Sequence, residues 1–283
     1  MYGAIIGDIA GSVYEFNNIK TKDFPFFRSD SDYTDDTVMT VAVAAALEDA
    51  ALAAPVTKDE MRSLFIHRMR EYGRRYPCPM GAYGASFAAW LRSDEDQPYN
   101  SCGNGSAMRV SPCALIAGSL EEAETLAELS AEVTHNHPEG IRGAKATAAA
   151  VYLAASGAQA EEIRREILSR YYDIRFTLDE IRPYYRFEGT CQKSVPQALE
   201  AFFESVNFED AIRNVISIGG DTDTTGAICG SIAFAYYTRG GADENTAALV
   251  REAQKRIPGE FAEAAERFSL LCKTRDRSIP LVL

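Results

Sequence analysis

Residues 57–72 read TKDEMRSLFIHRMREY, and this stretch decides the secondary-structure class of the chain. Thr57 is followed three residues later by Glu60, which is the spacing of a capping box at a helix start. The apolar side chains that follow fall on one helical stripe: Met61, Leu64, Phe65, Met69 and Tyr72. The stretch therefore predicts an amphipathic helix with Thr57 as its N-cap.

The same helical signals recur along the rest of the chain. Ser119 with Glu122, and Thr177 with Glu180, repeat the capping-box spacing. Three alanine-rich segments have high helix propensity: residues 38–54, 139–155 and 226–237. No alternating run of four or more residues is flanked by a hairpin turn, so strands are not expected. About a dozen helices joined by short loops predict an all-α fold.

The chain is interpreted as one domain over residues 1–283, because no obvious linker divides it. Gly3, Gly7 and Gly11 recur every four residues near its start. In a membrane this spacing would suggest a dimer face, but the stretch is too short and contains Asp8. We interpret it as close packing of a buried helix.

Composition excludes several classes of protein. The chain has 283 residues, a formal net charge of −12 and no run of eighteen apolar residues, so no membrane span is expected. No cluster of Lys and Arg suits non-specific nucleic-acid binding. The N-terminus has no basic region typical of a signal peptide.

Six scattered cysteines without a CxxC pair indicate reduced thiols in a cytoplasmic protein. Three histidines are too few for a histidine-rich metal site, so oxygen ligands are expected for any metal.

Two acidic clusters stand immediately before predicted helices. Thr34-Asp35-Asp36 precedes a helix expected over residues 37–50, and Asp221-Thr222-Asp223-Thr224 precedes one expected over residues 225–237. Helix capping is the ordinary explanation of such residues, but one side chain per helix is enough for it. Packing several carboxylates together is unfavourable without a cation, and divalent ions prefer carboxylate and hydroxyl ligands. If the fold brings the clusters together, their oxygens suffice for two ions.

A glycine-rich loop and a histidine form a second candidate site. Residues 101–109 read SCGNGSAMR and open a predicted turn of helix whose free backbone N–H groups suit a phosphate. A serine-capped turn is the alternative, since the loop is neither a P-loop nor a dinucleotide fingerprint. His135 follows a predicted helix at residues 120–133, where it either complements the helix dipole or donates a hydrogen bond to a ligand.

Taken together, the motifs resemble the ADP-ribosylglycohydrolase family. Four stretches match in the order that the family has them: Gly7-Asp8 to Glu15, Thr34 to Thr37, Gly103 to Arg109, and Gly219 to Thr224, with Thr134-His135 between the last two. The resemblance implies an orthogonal all-α bundle with two Mg²⁺ or Mn²⁺ ions. It implies that the metal ligands are Thr34, Asp35, Asp36, Asp221, Asp223 and Thr224. It implies that the ADP-ribose cleft contains Ser101, Gly103, Asn104, Gly105, Ser106, Met108 and His135.

The resemblance also implies the reaction, which is hydrolysis of the bond between ADP-ribose and a modified acceptor. Glu15 matches an acidic residue on a mobile flap in some members. An acid that some members place before the glycine loop is absent, because residues 76–81 read YPCPMG. Glu15 or a metal-bound hydroxide is then the candidate base, while Asp35 or Asp36 could accept a proton.

Two other functions stay open at this stage. One is a magnesium-dependent nucleotide phosphohydrolase. The other is a module that binds ADP-ribose, or blocks a transferase, without turnover. The expected partner is an ADP-ribosylated protein or small molecule, and the chain is expected to be a monomer. The sequence does not distinguish arginine, serine, a base or a metabolite as the acceptor.

Overall fold

The computed structural model describes residues 1–274 and 279–282. Within these residues, the chain forms fourteen α-helices and one 3₁₀ turn at Asn104–Ser106. The helices are α1 Tyr2–Gly11, α2 Asp35–Ala53, α3 Lys58–Arg75, α4 Ala85–Arg92, α5 Ser111–Ile116, α6 Leu120–Glu132, α7 Pro138–Ala155, α8 Ala160–Arg170, α9 Leu178–Ile181, α10 Cys191–Phe203, α11 Phe208–Ser217, α12 Thr222–Tyr237, α13 Glu244–Gln254 and α14 Gly259–Thr274. The all-α prediction is confirmed.

One short parallel sheet is present in the described part of the chain. Strand β1, Val56–Thr57, pairs with strand β2, Leu281–Val282. The Val56 N–H donates to the carbonyl of Pro280 at 3.1 Å. The pairing occupies the short connection between α2 and α3.

The predicted capping boxes mark real helix starts. The Thr57 hydroxyl accepts from the Glu60 N–H at 3.2 Å, and the Glu60 carboxylate accepts from the Thr57 N–H at 2.7 Å. Thr177 and Glu180 form the same pair at the start of α9. At α6 the box is incomplete, because the Glu122 carboxylate accepts from Gly118 rather than from Ser119.

The helices that carry the acidic clusters begin earlier than expected. Helix α2 starts at Asp35 rather than at residue 37, and α12 starts at Thr222 rather than at residue 225. Their N-caps are Thr34 and Asp221, so most of the acidic residues belong to the first helical turn. The partial positive charge of that turn favours carboxylates there.

Helices α1 and α12 pack against each other, antiparallel and in close contact. A Cβ atom added to Gly3, Gly7 or Gly11 would overlap the carbonyl oxygens of Gly230, Gly226 and Thr222, respectively. Small residues on both helices let the two backbones touch, as the four-residue glycine spacing predicted. This contact places the start of α12 beside the end of α1.

The core around this pair is formed by faces of α2, α5, α7, α10 and α11. Helices α2 and α12 are buried along nearly their whole length, which agrees with their many alanine and glycine residues. Among the described helices, none has the length and apolar character needed to cross a membrane.

Candidate active site

A cleft of about 370 Å³ opens where the starts of α2 and α12 meet the glycine loop. Its walls include acidic residues, loop glycines and aromatic rings. The predicted site residues that line it are Glu15, Asp35, Ser101, Gly103, Asn104, Gly105, Met108, His135, Asp221, Asp223 and Thr224. Residues from distant parts of the sequence therefore share one cavity.

The two acidic clusters meet at the side chain of Asp36. Its Oδ2 atom accepts hydrogen bonds from the hydroxyls of Thr34 and Thr224, each at 3.2 Å. The structure thus brings the clusters together, as the metal-site hypothesis requires. Thr34 and Asp36 are buried and are not among the described residues that line the cleft.

Capping accounts for part of the first cluster. The Thr34 hydroxyl accepts from the Asp36 N–H at 3.2 Å, so Thr34 is the N-cap of α2. Neither Asp35 nor Asp36 has this role. Helix capping therefore does not explain why two carboxylates are present at the start of α2.

Asp8 is a contributor that we did not predict as a site residue. Its buried carboxylate accepts from the backbone N–H groups of Thr34, at 3.1 Å, and of Thr37, at 3.0 Å. The Thr37 hydroxyl also donates to it. Asp8 therefore holds the start of α2 against α1. The sequence feature that could have identified Asp8 is the presence of an aspartate inside an apolar, glycine-rich helix.

The start of α12 is shaped by two glycines. Gly219 and Gly220 have φ values of +71° and +88°, which residues with a side chain rarely adopt. The following Asp221 accepts a hydrogen bond from the amide nitrogen of Asn104 at 2.8 Å. The glycine loop and the second acidic cluster are thus joined directly.

Glu15 reaches the same cluster from the segment after α1. Carboxylate oxygens of Glu15, Asp221 and Asp223 all lie within 4.8 Å of one another, which is close enough to share a metal ion. Predicted only as a catalytic residue, Glu15 is therefore also a candidate metal ligand. Burial, followed by the charges of Asp221 and Asp8, raises its pKa to about 7.

The electrostatics of the cluster are compatible with a bound cation. Burial and then the charges of Asp8 and Asp221 raise the pKa of Asp35 to about 8. Burial and nearby carboxylates also raise the pKa of Asp36 and Asp223 well above its usual range. Asp36 Oδ1 is buried and has no hydrogen-bond partner among the described residues. This donor set fits divalent cations, which would neutralise the carboxylates and take up the unpaired oxygen.

The glycine loop is held by the segment that precedes α10. The Asn104 N–H donates to the carbonyl of Gly189 at 2.9 Å, and the Cys191 N–H donates to that of Cys102 at 2.9 Å. The two segments run antiparallel here, with Gly103 paired to Thr190. The loop is therefore a supported wall of the cleft rather than a free surface turn.

Ser106 does not take the ligand-binding position expected for it. Its side chain is fully buried, and its hydroxyl lies 2.7 Å from the carbonyl of Gly140 and 3.2 Å from that of Gly103. Because these backbone acceptors use its one hydrogen, the residue braces the loop against α7 and does not line the cleft.

His135 is held by two buried neighbours. Arg109 donates to the Thr134 hydroxyl at 2.9 Å, and that hydroxyl lies 2.8 Å from His135 Nδ1. Arginine can only donate, so the Thr134 oxygen accepts from Arg109. With the Thr134 hydrogen directed at Nδ1, the proton of the neutral ring would be on Nε2. This nitrogen faces the loop, since a Cβ atom at Gly105 would lie 3.2 Å from it.

The charge state of His135 agrees with this network. Burial, and then the positive charge of Arg109, lowers its pKa well below the usual range. The ring is therefore a neutral hydrogen-bond donor at the cleft wall. Such a group suits a phosphate or ribose oxygen better than a proton-transfer role.

Four aromatic residues complete the wall: Tyr83, Phe87, Tyr99 and Phe187. Any of these rings could stack on a flat base. The sequence alone does not distinguish them from the other tyrosines and phenylalanines, because nothing in their local pattern marks them.

Comparison with known proteins places these features in context. Residues 1–277 match the family model described as ADP-ribosylglycohydrolase. The mouse (Mus musculus) ADP-ribosylhydrolase ARH3 is 29% identical over 312 aligned residues, which cover 83% of this chain and 82% of that protein. The ADP-ribosylarginine hydrolase Tri1 of Pseudomonas putida (strain GB-1) is 25% identical, covering 84% and 69%.

A solved structure shares the fold. It is described as an ADP-ribosylglycohydrolase-related protein complex and superposes with a TM-score of 0.63, covering 94% of this chain and 95% of that one. At 22% sequence identity, this similarity is evidence for the fold alone.

Proposed function

Because the chain belongs to the ADP-ribosylglycohydrolase family, and is therefore a hydrolase of glycosyl bonds, we propose that it releases ADP-ribose from a modified acceptor in a metal-dependent reaction. The acceptor is an ADP-ribosylated protein or a small molecule. The observation that carries this proposal is the meeting of buried carboxylates from two clusters beside the glycine loop.

Two Mg²⁺ or Mn²⁺ ions are proposed for the acidic cluster. Their ligands would come from Thr34, Asp35, Asp36, Asp221, Asp223 and Thr224, with Glu15 also in reach. When bound, such ions orient vicinal ribose hydroxyls and lower the pKa of water, so that hydrolysis proceeds at neutral pH. Mg²⁺ and Mn²⁺ both suit an all-oxygen ligand set.

The protein's own groups then orient the substrate and move protons. His135 Nε2–H donates to an oxygen of the ADP-ribosyl group. Asn104 holds the Asp221 carboxylate in place. Cleavage of a glycosidic bond passes through an oxocarbenium-like state, so charge develops at C1 of the ribose beside these carboxylates.

Glu15 and Asp35 are the proposed proton carriers. Both line the cleft, beside the space that the substrate would occupy. A carboxyl group beside the reacting atoms can accept or donate a proton in the transition state. Asp35 would accept a proton from attacking water, and Glu15 would protonate the leaving group.

A panel of defined ADP-ribosylated substrates tests the proposal. Arginine-, serine- and base-linked ADP-ribose are incubated with the protein and Mg²⁺ or Mn²⁺, and free ADP-ribose is measured by chromatography. We expect chelation to abolish release. Asp36→Asn and Asp223→Asn should each lower kcat about 100-fold or more, since loss of an outer-shell partner alone costs about 10–100-fold. Asp94→Asn, at an exposed position, is the matched control.

Other products would identify the alternative functions. Release of AMP or inorganic phosphate would make the protein a nucleotide phosphohydrolase. Tight calorimetric binding of ADP-ribose, without turnover of any linkage, would make it a binding module. Full activity in chelator would contradict the metal requirement.

A further inference from the structure

A second cavity, of about 560 Å³, adjoins the candidate active site. The two cavities share Glu15 and Phe187 as lining residues. The second one also contains Phe16, Lys20, Tyr185 and Arg186, and we name it the acceptor groove. It is continuous with the active-site cleft at the side of Glu15.

Two exposed aromatic rings, those of Phe16 and Phe187, line the acceptor groove, and Tyr184 stands in sequence between its lining residues Pro183 and Tyr185. Phe16 is 73% exposed, Tyr184 is 66% exposed and Phe187 is 52% exposed. These are the exposed large aromatic residues of the described chain; its other exposed large hydrophobic residues are aliphatic and lie elsewhere: Leu52, Leu168, Val206 and Leu270. An exposed apolar patch with polar neighbours marks an interaction site, and aromatic rings are favoured anchors in such sites.

The charge of the groove is opposite to that of the cleft it adjoins. Arg186 is exposed, and no ion pair joins it to another residue in the described ranges. Lys20 lies beside it. The cleft itself is lined by Glu15, Asp35 and other carboxylates, and the chain as a whole carries −12. A cation in this setting selects an acidic group on whatever enters the groove.

The walls of the groove are held in place by hydrogen bonds. Lys20 donates to the carbonyls of Tyr185, at 2.6 Å, and Ile218. Asn18 donates to the carbonyl of Gly220 at 3.0 Å and accepts from its N–H at 2.8 Å. A wall that is ordered before binding loses little conformational freedom on binding.

We propose that the acceptor groove binds the polypeptide segment around the ADP-ribosylated residue. This inference rests on the proposed function, because it assigns the leaving-group side of the same reaction. With the ADP-ribosyl group in the cleft beside the glycine loop, the acceptor would lie on the side of Glu15, where the two cavities adjoin. There an apolar side chain of the substrate packs on Phe16 and Phe187, and an acidic side chain pairs with Arg186.

The test compares substrates that share one linkage. They are free ADP-ribosyl-arginine and two ADP-ribosylated arginine peptides, one with an acidic and one with a basic residue beside the modified arginine. For each, kcat/KM is measured. We expect the protein to prefer the acidic peptide. Arg186→Glu should lower the ratio of kcat/KM for the acidic peptide to that for the free compound about tenfold, and Phe16→Ser should lower it similarly.

Matched controls lie on α8. Arg165→Glu reverses the charge of another exposed arginine, and Leu168→Ser removes another exposed apolar side chain. Both should leave the ratio as in the unmodified protein.

Three results would overturn the inference. If Arg186→Glu and Phe16→Ser leave the ratio unchanged and turn over the free compound normally, the groove does not bind the acceptor segment. The proposed function would still stand. If these variants leave the ratio unchanged but lose a dimer that the unmodified protein forms in analytical sedimentation, the groove serves self-association instead. Release of ADP-ribose from the free compound with no release from either peptide would overturn polypeptide binding and leave the proposed function.

Discussion

Single residues set the properties of the cleft, and His135 shows this most directly. Its low pKa makes it neutral, and with Nδ1 accepting from Thr134 its proton would be on Nε2. Arg109 has a positioning role, since it donates to the Thr134 hydroxyl beside the ring, and its charge also lowers the pKa of the histidine.

Thr134→Val tests this network. The variant keeps the shape of the side chain but removes the hydroxyl. We expect ¹⁵N NMR of the ring to show loss of the single Nε2–H tautomer at neutral pH, because Nδ1 loses its donor. Affinity for ADP-ribose should fall roughly three- to tenfold, the effect of one neutral hydrogen bond.

Thr134→Ser is the control for that variant. It restores the hydroxyl and should restore both the tautomer and the affinity. The chain has only three histidines, so the signals of His135 are readily assigned. Retention of the Nε2–H form in Thr134→Val would contradict the assigned network.

Part of the cleft was predictable from the sequence at this scale. Thr34, Asp36 and Asp223 were marked by crowding of carboxylates, which capping alone does not explain. Asp8 and Arg109 were not predicted as site residues, because their roles depend on what lies beside them in space. Ser106 was assigned to ligand binding because a helix-start serine has the same local pattern whether its hydroxyl faces a ligand or a carbonyl.

At the scale of elements, the segment after α1 is joined to the start of α12 by one side chain. Asn18 bonds the carbonyls of Tyr14 and Glu15, each at 2.8 Å, as well as both backbone groups of Gly220. The Asn18 side chain therefore supports both the segment that carries Glu15 and the segment that carries Asp221.

Asn18→Ala should loosen that support. We expect kcat/KM for ADP-ribose release to fall, since Glu15 is no longer held beside Asp221. Stability should fall by about 0.5–1.5 kcal/mol for the lost hydrogen bonds, measured by urea unfolding. Asn17→Ala changes the neighbouring exposed asparagine and is the control. Equal kinetics in the two variants would refute the support role.

The contact of α1 with α12 makes a second prediction at this scale. Gly7→Ala inserts a Cβ atom into the backbone of Gly226, so the helices must separate. We expect a loss of about 1–3 kcal/mol in urea unfolding, the usual effect of overpacking, together with weaker metal binding by calorimetry.

Gly240→Ala is the comparison for Gly7→Ala. Nothing lies within 4 Å of a Cβ atom at Gly240, so its stability and metal affinity should be unchanged. If Gly7→Ala also retained both, helix contact would not determine the geometry of the metal site.

Helix starts and helix faces were predictable because their causes are local. The Thr57 box and the stripe behind it are complete within sixteen residues. The partner of α1 was not predictable in this way. Gly226 and Gly230 repeat the spacing of Gly3 and Gly7, but spacing alone does not say which helices meet.

For the molecule as a whole, the buried carboxylates link stability to pH. Folded-state pKa values of about 8 for Asp35 and about 6 for Asp8 exceed the ordinary value of 3.8. Between about pH 4 and pH 8 these two groups therefore hold more protons in the folded chain than in the unfolded chain. Their contribution to stability falls as the pH rises through that range, whereas the lowered pKa values of His135 and of the N-terminal amine give contributions of the opposite sign.

Thermal unfolding in chelator checks this dependence. We expect the metal-free protein to have a Tm lower by about 5 °C or more at pH 8 than at pH 5. Added Mg²⁺ or Mn²⁺ should raise the Tm most at pH 8, where the carboxylates are charged. A metal-free protein that is more stable at pH 8 than at pH 5 would show that these carboxyl groups do not dominate the pH dependence of stability.

The pairing of α1 with α12 also determines when, during synthesis of the chain, this part of the fold can form. Gly11 and Thr222 touch, yet at about 5–20 residues per second the ribosome adds the second roughly 10–40 s after the first. During that interval the face of α1 that packs on α12 has no native partner, which exposes it to aggregation and to chaperones. Three of the six proposed metal ligands, Asp221, Asp223 and Thr224, are thus added late in synthesis, and a ribosome that stalls before residue 221 leaves a product with only the other three.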